Sequence, residues 1–170
     1  MDNIVLLPLE GVNFAGKTIA LTALRGDVEN LMGSCGKSVE NSLYYFGSEL
    51  RFDFDGDGRL EFIEFLGGAD GKLRPEIYGK SVFDTDADEL FAILSEKNCG
   101  DIADTENGYS YAFLNITVGV FRERLPEEVR EMMEEAEKCG APMSAKEIEA
   151  EMRMAECWST IGMGTEGYYG

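Results

Sequence analysis

Hydrophobic periodicity divides the first 54 residues into a strand, a helix and further strands. The apolar run NIVLLPL, residues 3–9, predicts a strand, with Pro8 at a sheet edge or at the strand's end. In residues 22–33 the apolar positions share one helical face and Gly33 follows them, so we expect a helix there. Apolar and polar residues then alternate from residue 43 to residue 54, which predicts half-buried strands.

The second half begins with the same succession of patterns. Residues 84–100 have acidic residues at their start, Lys97 near their end and Gly100 after it, all of which favour a helix. Residues 108–124 alternate again, over a length that suits two strands around Asn115 or one long strand.

The C-terminal third is predicted to be mostly helical. One helix begins at Pro126 and ends near Lys138, because proline favours the first turn and lysine the last. A second begins at Ser144, which forms a capping box with Glu147. Residues 157–170 predict a closing strand and a loose aromatic end.

The order of these elements predicts an α+β protein, an antiparallel sheet with about four helices packed on it. A helix followed by strands occurs twice, in residues 22–65 and 84–122, so two fused repeats are a candidate, followed by a helical pair in 126–157. No linker-like composition separates the halves. We therefore expect a single domain over 1–170 and one continuous sheet.

Charge decides which partners are expected. The chain has 33 acidic and 15 basic residues and a formal net charge of -18, which repels phosphate backbones and anionic lipid surfaces. Nucleic-acid and membrane partners are therefore not expected, whereas a basic protein would be attracted. The N-terminal sequence has no basic region and no cleavage site typical of a signal peptide, so we expect a cytoplasmic protein.

Two residue types limit the chemistry. The chain has no histidine, which excludes Ser-His and Cys-His nucleophile pairs and histidine metal ligands. The four cysteines, at positions 35, 99, 139 and 157, form no C-x-x-C pair, so neither a zinc knuckle nor a redox dithiol is indicated. A non-enzymatic protein fits these limits best.

The segment DFDGDGRLEFIEF, residues 53–65, matches the calcium loop of an EF-hand. The candidate ligands are Asp53, Asp55, Asp57, the carbonyl group of Arg59, Glu61 at the ninth position and Glu64 at the twelfth, with Gly58 at the sharp turn. Strand-like residues precede the segment where an EF-hand has a helix, and the letters also resemble the calcium hairpins of FG-GAP repeats. The alternative is a plain hairpin with Asp-Gly turns, without calcium.

The segment GVNFAGKT, residues 11–18, matches the P-loop pattern G-x-x-x-x-G-K-T. In a nucleotide-binding enzyme Gly11 and Gly16 would shape the loop, Lys17 would reach the outer phosphates and Thr18 would hold magnesium. The pattern follows an apolar strand, but the later strands are predicted to be antiparallel, unlike those of a P-loop fold. The alternative is a glycine-rich turn.

Two further patterns carry less weight. Gly162, Gly164 and Gly167 spell G-x-G-x-x-G, but a dinucleotide site needs a helix after the glycines and only three residues follow. Glu61 and Glu64 are spaced as an acid-base pair could be, but nothing in the sequence positions them.

The order of TALRGDVENLMG, LYYF, ELRFDFDG and RLEFIEF resembles the β-lactamase-inhibitor-like repeats of bacteria, in which a short helix precedes antiparallel strands. The second half resembles them only through DELFAIL and YSYAFLNITVGVF. This resemblance, and that to acidic toxin-immunity proteins, implies a binding protein of immunity or inhibitor type. Tyr44, Tyr45 and Tyr109 are then the candidate aromatic anchors for a partner.

Overall fold

A computed structural model describes residues 3–170 of the chain, and residues 1 and 2 of the predicted domain lie outside it. The described residues form thirteen strands, four α-helices and a short 3-10 helix, Gly68–Asp70. The strands are β1 Ile4–Leu7, β2 Gly11–Phe14, β3 Lys17–Ala20, β4 Lys37–Val39, β5 Ser42–Tyr45, β6 Leu50–Phe54, β7 Leu60–Phe65, β8 Pro75–Ile77, β9 Lys80–Ser81, β10 Ile102–Asp104, β11 Ser110–Phe113, β12 Val118–Phe121 and β13 Thr160–Gly164. The helices are α1 Arg25–Met32, α2 Ala87–Asn98, α3 Pro126–Lys138 and α4 Ala145–Glu156.

The larger sheet has eight strands in the order β10-β11-β12-β13-β7-β6-β5-β4, and all its neighbours are antiparallel. The last strand, β13, lies between β12 and β7 and so joins the strands of the two halves of the chain. The predicted antiparallel sheet is confirmed, and so is the closing strand in the C-terminal residues.

A second sheet, which the sequence did not predict, has five strands in the order β3-β2-β1-β8-β9. Its centre is a parallel pair, in which Ile4 of β1 lies beside Pro75 of β8. The expectation of one continuous sheet is therefore wrong. Strands so distant in the sequence pair without any local hydrophobic pattern from which the pairing could be predicted.

One hydrophobic cluster contacts both sheets and two of the helices. The alternating positions Leu50, Phe52 and Phe54 of β6 are almost fully buried in it, whereas Arg51 and Asp53 between them face the other side of the sheet. The same cluster includes Ile4 of the small sheet, Val28 of α1, Leu90 of α2 and Trp158, which follows α4. The α+β class follows from this arrangement of helices and sheets around a shared core.

The helix ends carry the capping signals that the sequence predicts. Asp86 accepts hydrogen bonds from the N–H groups of Asp88 and Glu89 and so caps α2. At the start of α4, Ser144 and Glu147 form the expected capping box. The two predicted repeats contain α1 with β4–β7 and α2 with β10–β12. Within residues 3–170, no helix combines the length and hydrophobicity that crossing a bilayer requires.

Candidate functional site

The candidate calcium segment forms the β6–β7 hairpin, with its turn at residues 55–59. One Asp55 carboxylate oxygen, Oδ1, accepts hydrogen bonds from the N–H groups of Asp57 and Arg59, both at 2.9 Å. The backbone N–H of Asp55 donates to the carbonyl group of Arg59 at 2.8 Å, and Gly58 supplies a left-handed φ of 74°. The segment therefore forms a hairpin turn, in which backbone N–H groups are bonded to one carboxylate oxygen of Asp55.

Two other candidate ligands, Asp53 and Glu64, contact a guanidinium group instead. Arg51 Nη2 lies 3.0 Å from Glu64 Oε2, and Arg51 Nε lies 3.1 Å from Asp53 Oδ2, although that nitrogen is not aligned for a hydrogen bond. The other Asp53 oxygen accepts from the Ser42 hydroxyl at 2.6 Å. Burial raises the pKa of Glu64, and nearby Asp53 adds to this rise while Arg51 opposes it.

The EF-hand arrangement is therefore not formed. Asp57 is exposed at the turn, and Glu61 is the extra residue of a bulge in β7, where the pairing passes from Asp53–Phe62 to Phe54–Leu60. Within the described part of the chain, no three Asp, Glu or Cys side chains come together as a metal site requires. Because a strand rather than a wrapping loop follows Arg59, Glu64 is carried away from the turn.

The P-loop prediction is also wrong in its geometry. Gly11 lies in β2 and Lys17 and Thr18 in β3, which pair as an antiparallel hairpin, so a strand stands where a P-loop needs a helix. Ala15 and Gly16 form the turn, with φ angles of 52° and 83°. Two positive φ angles are typical of a tight hairpin turn, not of a phosphate cradle that opens a helix.

Of the three C-terminal glycines, Gly162 and Gly164 lie in β13, where neighbouring side chains approach them closely, and Gly167 lies in the turn after it with a φ of 79°. Gly119 of β12 pairs with Gly162 of β13, and Gly162 pairs with Glu64 of β7. The two glycines and Glu64 therefore lie on the same face of the large sheet. Tyr168 stacks on Phe62 on this face, with ring centroids 4.6 Å apart. Gly164 and Gly119 leave the space that Tyr168 and Tyr169 occupy, and burial raises the pKa of Tyr169.

The expected aromatic anchors are mostly engaged within the protein. Tyr45 is buried and its hydroxyl donates to the carbonyl group of Gly33 at 3.1 Å, while the Tyr109 hydroxyl is bonded to Glu128. Tyr44 is half-buried and lies under the ammonium group of Lys37. Phe46 is more exposed than any of these three tyrosines. It is 49% exposed, and its ring stacks on that of Phe14 with ring centroids 5.5 Å apart.

The acidic surface is concentrated on the antiparallel hairpin formed by α3 and α4. Only Val129 of α3 and Ala155 of α4 are fully buried, so most of both helices is accessible. Residues 123–157 contain 11 of the 33 acidic residues and 5 of the 15 basic ones, so about a fifth of the chain carries a third of its net charge. Their sequence alone predicted the two helices, but not that they would leave so much of their surface uncovered.

Polar contacts fix the base of this hairpin to the rest of the protein. Arg124 Nε lies 2.9 Å from a carboxylate oxygen of Glu151, which links the start of α3 to α4. Glu128 accepts hydrogen bonds from the Tyr109 hydroxyl and the Leu125 N–H, and both lower its pKa. Side-chain contacts therefore fix the base, and residues 139–144 connect the two helices at the other end of the hairpin.

A groove of about 570 Å³ runs between the two helices. It is lined by Met132, Glu135, Ala136, Cys139, Met143, Glu147, Ala150 and Glu151. The apolar members, Met132, Ala136, Met143 and Ala150, come from both sides, and glutamates accompany them. The spacing of four residues between Met132 and Ala136 on α3, and of seven between Met143, just before α4, and Ala150, is the signal in the sequence that could have revealed two facing apolar stripes.

Comparisons with protein families, with curated proteins and with solved structures each found no match for this chain. The proposals that follow therefore depend on the geometry of the hairpin and on its charge.

Proposed function

We propose that this chain is a non-enzymatic, cytoplasmic protein-binding module, of immunity or inhibitor type, that captures a basic protein on its acidic α3–α4 hairpin. The observation that carries the proposal is the groove between the helices, in which accessible methionine and alanine side chains lie beside glutamates. Apolar area supplies affinity, while the charges speed encounter and select a basic partner.

Repulsion between glutamates within α3 supports this assignment. Glu131 and Glu135 are exposed one turn apart on α3, as are Glu127 and Glu131, and like charges at this spacing destabilise a helix. Within α3, Arg130 forms an ion pair with Glu127, at 3.7 Å between exposed groups, which contributes little. A fold gains nothing from such repulsion, whereas a cationic partner would relieve it.

The test is capture from native lysate at low salt with the immobilised protein. The charge-reversal variant Glu131→Lys/Glu135→Lys is compared with wild type and with Glu10→Lys/Glu96→Lys, which changes the net charge equally at exposed positions outside the hairpin. We expect wild type and the second variant to retain the same basic protein and the hairpin variant to lose it.

Two outcomes would contradict the proposal. If both variants lost the captured protein equally, net charge rather than the hairpin would govern binding. If wild type retained no basic protein at low salt, the chain would not be a module of this kind.

A further inference from the structure

The groove between α3 and α4 has the length and shape to hold one helix. The two helices line it from Met132 to Cys139 at the end of α3 and from Glu147 to Glu151 on α4, about 10 Å along α3 at 1.5 Å rise per residue, which is the distance from i to i+7 on an entering helix. They run antiparallel and leave between them an open volume of about 570 Å³. A third helix packed along this line would complete a three-helix arrangement, in which its apolar ridge enters the groove.

The groove's apolar residues match such a ridge. Met132 and Ala136 are one turn apart on α3, and Met143 faces them from the segment that leads into α4, followed by Ala150. Residues four and seven apart are also the spacing at which an entering helix presents its apolar side chains. Methionine side chains adapt to partners of irregular shape, so the apolar residues that line the groove do not require one particular partner sequence.

The charged side chains beside these apolar residues determine which polar residues a bound helix should carry. Glu135 on α3 and Glu147 on α4 are exposed, whereas Glu151, one turn after Glu147, is paired with Arg124. The Ser144 N–H and hydroxyl groups donate to Glu147 and lower its pKa, so this carboxylate stays negative throughout the neutral range. Lysine and arginine side chains that flank an apolar ridge would meet these carboxylates.

We infer that the groove receives a basic amphipathic helix of the partner protein, with apolar side chains at i, i+3 or i+4, and i+7. The inference rests on the proposed function, which it extends from a charged surface to a binding mode. The groove offers no strand edge for an added strand, because both of its walls are helices. An acidic peptide or an anionic lipid surface would be repelled by its glutamates.

The experiment measures binding of fluorescently labelled synthetic peptides to the full chain by anisotropy. The probe is a 14-residue peptide of leucine and lysine with leucines on one helical face. The control has the same composition with its leucines scattered around the helix. We expect the amphipathic peptide to bind about tenfold tighter than the scattered one, since only it presents an apolar ridge.

Variants place the peptide in the groove. Ala150→Lys puts a long charged side chain into it at an exposed helical position, whereas Ala92→Lys makes the same exchange at an exposed position of α2. Both replacements keep good helix formers, so folding should be retained. We expect Ala150→Lys to weaken binding about tenfold and Ala92→Lys to leave it within about twofold.

Methyl resonances of labelled methionines give a second readout on the unmodified chain. Met132 and Met143 should shift on addition of the amphipathic peptide, while Met163, fully buried in the large sheet, should not. Equal binding of the two peptides, or an Ala150→Lys variant that binds like wild type, would overturn the helix-in-groove inference. The proposed function would then still stand if capture from lysate depended on Glu131 and Glu135, so the two failures are distinguishable.

Discussion

The ring of Tyr169 lies directly over Gly119 on the outer face of the large sheet. A Cβ atom added at Gly119 would stand 2.3 Å from the Tyr169 hydroxyl oxygen and 2.8 Å from its Cζ. The same face has Gly162 below Phe62, where an added Cβ would lie 2.3 Å from the ring. Glycine at these two positions therefore makes room for aromatic rings, and the end of the chain is packed on the sheet rather than loose.

Replacing Gly119 by alanine should therefore destabilise the protein. We expect Gly119→Ala to lower the free energy of unfolding by about 1–3 kcal/mol, the usual cost of overpacking. Denaturant titration followed by tryptophan fluorescence measures it. In a Tyr169→Ala background the cost should fall below about 1 kcal/mol, since the colliding ring is gone.

Gly26→Ala is the matched control for this exchange. Gly26 lies in α1, and nothing approaches its added Cβ within 4 Å, so alanine should stabilise the helix by up to about 1 kcal/mol. A neutral Gly119→Ala variant would show that Tyr169 moves aside at little cost and would contradict this account of the glycine.

Calcium should not stabilise the protein, because Asp53, Asp55 and Glu64 have other partners in the hairpin. A site filled at a hundred times its dissociation constant would add about 2.7 kcal/mol, which thermal melts in EDTA and in millimolar calcium would detect. We expect the two melts to coincide. Magnesium at the same concentration controls for ionic strength, and a calcium-specific rise that Asp55→Ala abolishes would contradict the prediction.

The hairpin turn nevertheless depends on Asp55. Asp55→Ala removes the acceptor for the Asp57 and Arg59 N–H groups and should cost about 1–2 kcal/mol, equally in EDTA and in calcium. Asp57→Ala, at an exposed side chain, should change stability by less than about 0.5 kcal/mol. Equal effects of the two variants would argue against this role of Asp55.

Sequence patterns predicted the features that depend on neighbouring residues. The acidic first turn of α2 and the Ser144–Glu147 box of α4 are features within one helical turn, and both are present. The alternation in residues 50–54 correctly assigned Phe52 and Phe54 to the core for the same reason. Propensity and capping are local, so one sequence contains enough information for them.

Contacts between distant segments could not be predicted from the sequence. The P-loop letters fitted residues 11–18, but the Asn13 side chain accepts from the Gly16 N–H at 3.1 Å and helps the chain to reverse. A motif that lists residue types cannot say whether its last residues begin a helix or a returning strand. The pairing of β1 with β8, and the groove between Met132 and Met143, likewise depend on the folded structure and could not be predicted from local patterns.

Trp158 joins α4 to α2, and its replacement should weaken that contact. The indole is 1% exposed, its Nε1–H donates to the carbonyl group of Ala87 at 3.1 Å, and Arg122 lies over its ring at 5.2 Å. Trp158→Phe removes the donor and leaves a cavity, so we expect a loss of about 1–3 kcal/mol by denaturant titration followed by circular dichroism.

Tyr168→Phe provides the comparison for Trp158→Phe. Tyr168 is 40% exposed, and the exchange should change stability by less than about 0.5 kcal/mol. Since Trp158 is the chain's single tryptophan, its emission should shift to longer wavelength on unfolding of the wild type. A Trp158→Phe variant as stable as Tyr168→Phe would mean that the α2–α4 contact does not depend on the indole.

Glu64 should make stability fall as the pH rises. Burial raises its pKa above the ordinary value of 4.5, so between these two values the folded protein binds more protons than the unfolded chain. The free energy of unfolding therefore loses this contribution progressively as the pH rises through that window. Glu64→Gln removes the titrating group, and the variant's stability relative to wild type should improve with pH across the window and then level off.

Glu128 should show the opposite sign, because hydrogen bonds from Tyr109 and the Leu125 N–H lower its pKa. Its contribution is present above pH 4.5 and is lost as the pH falls through the lowered value, so Glu128→Gln should be less stable than wild type at neutral pH and converge with it in acid. Denaturant titrations of wild type and both variants at a series of pH values measure these differences, in which repulsion from the remaining charges largely cancels. If both variants changed with pH in the same direction, the assigned causes, burial of Glu64 and hydrogen bonding to Glu128, could not both be correct.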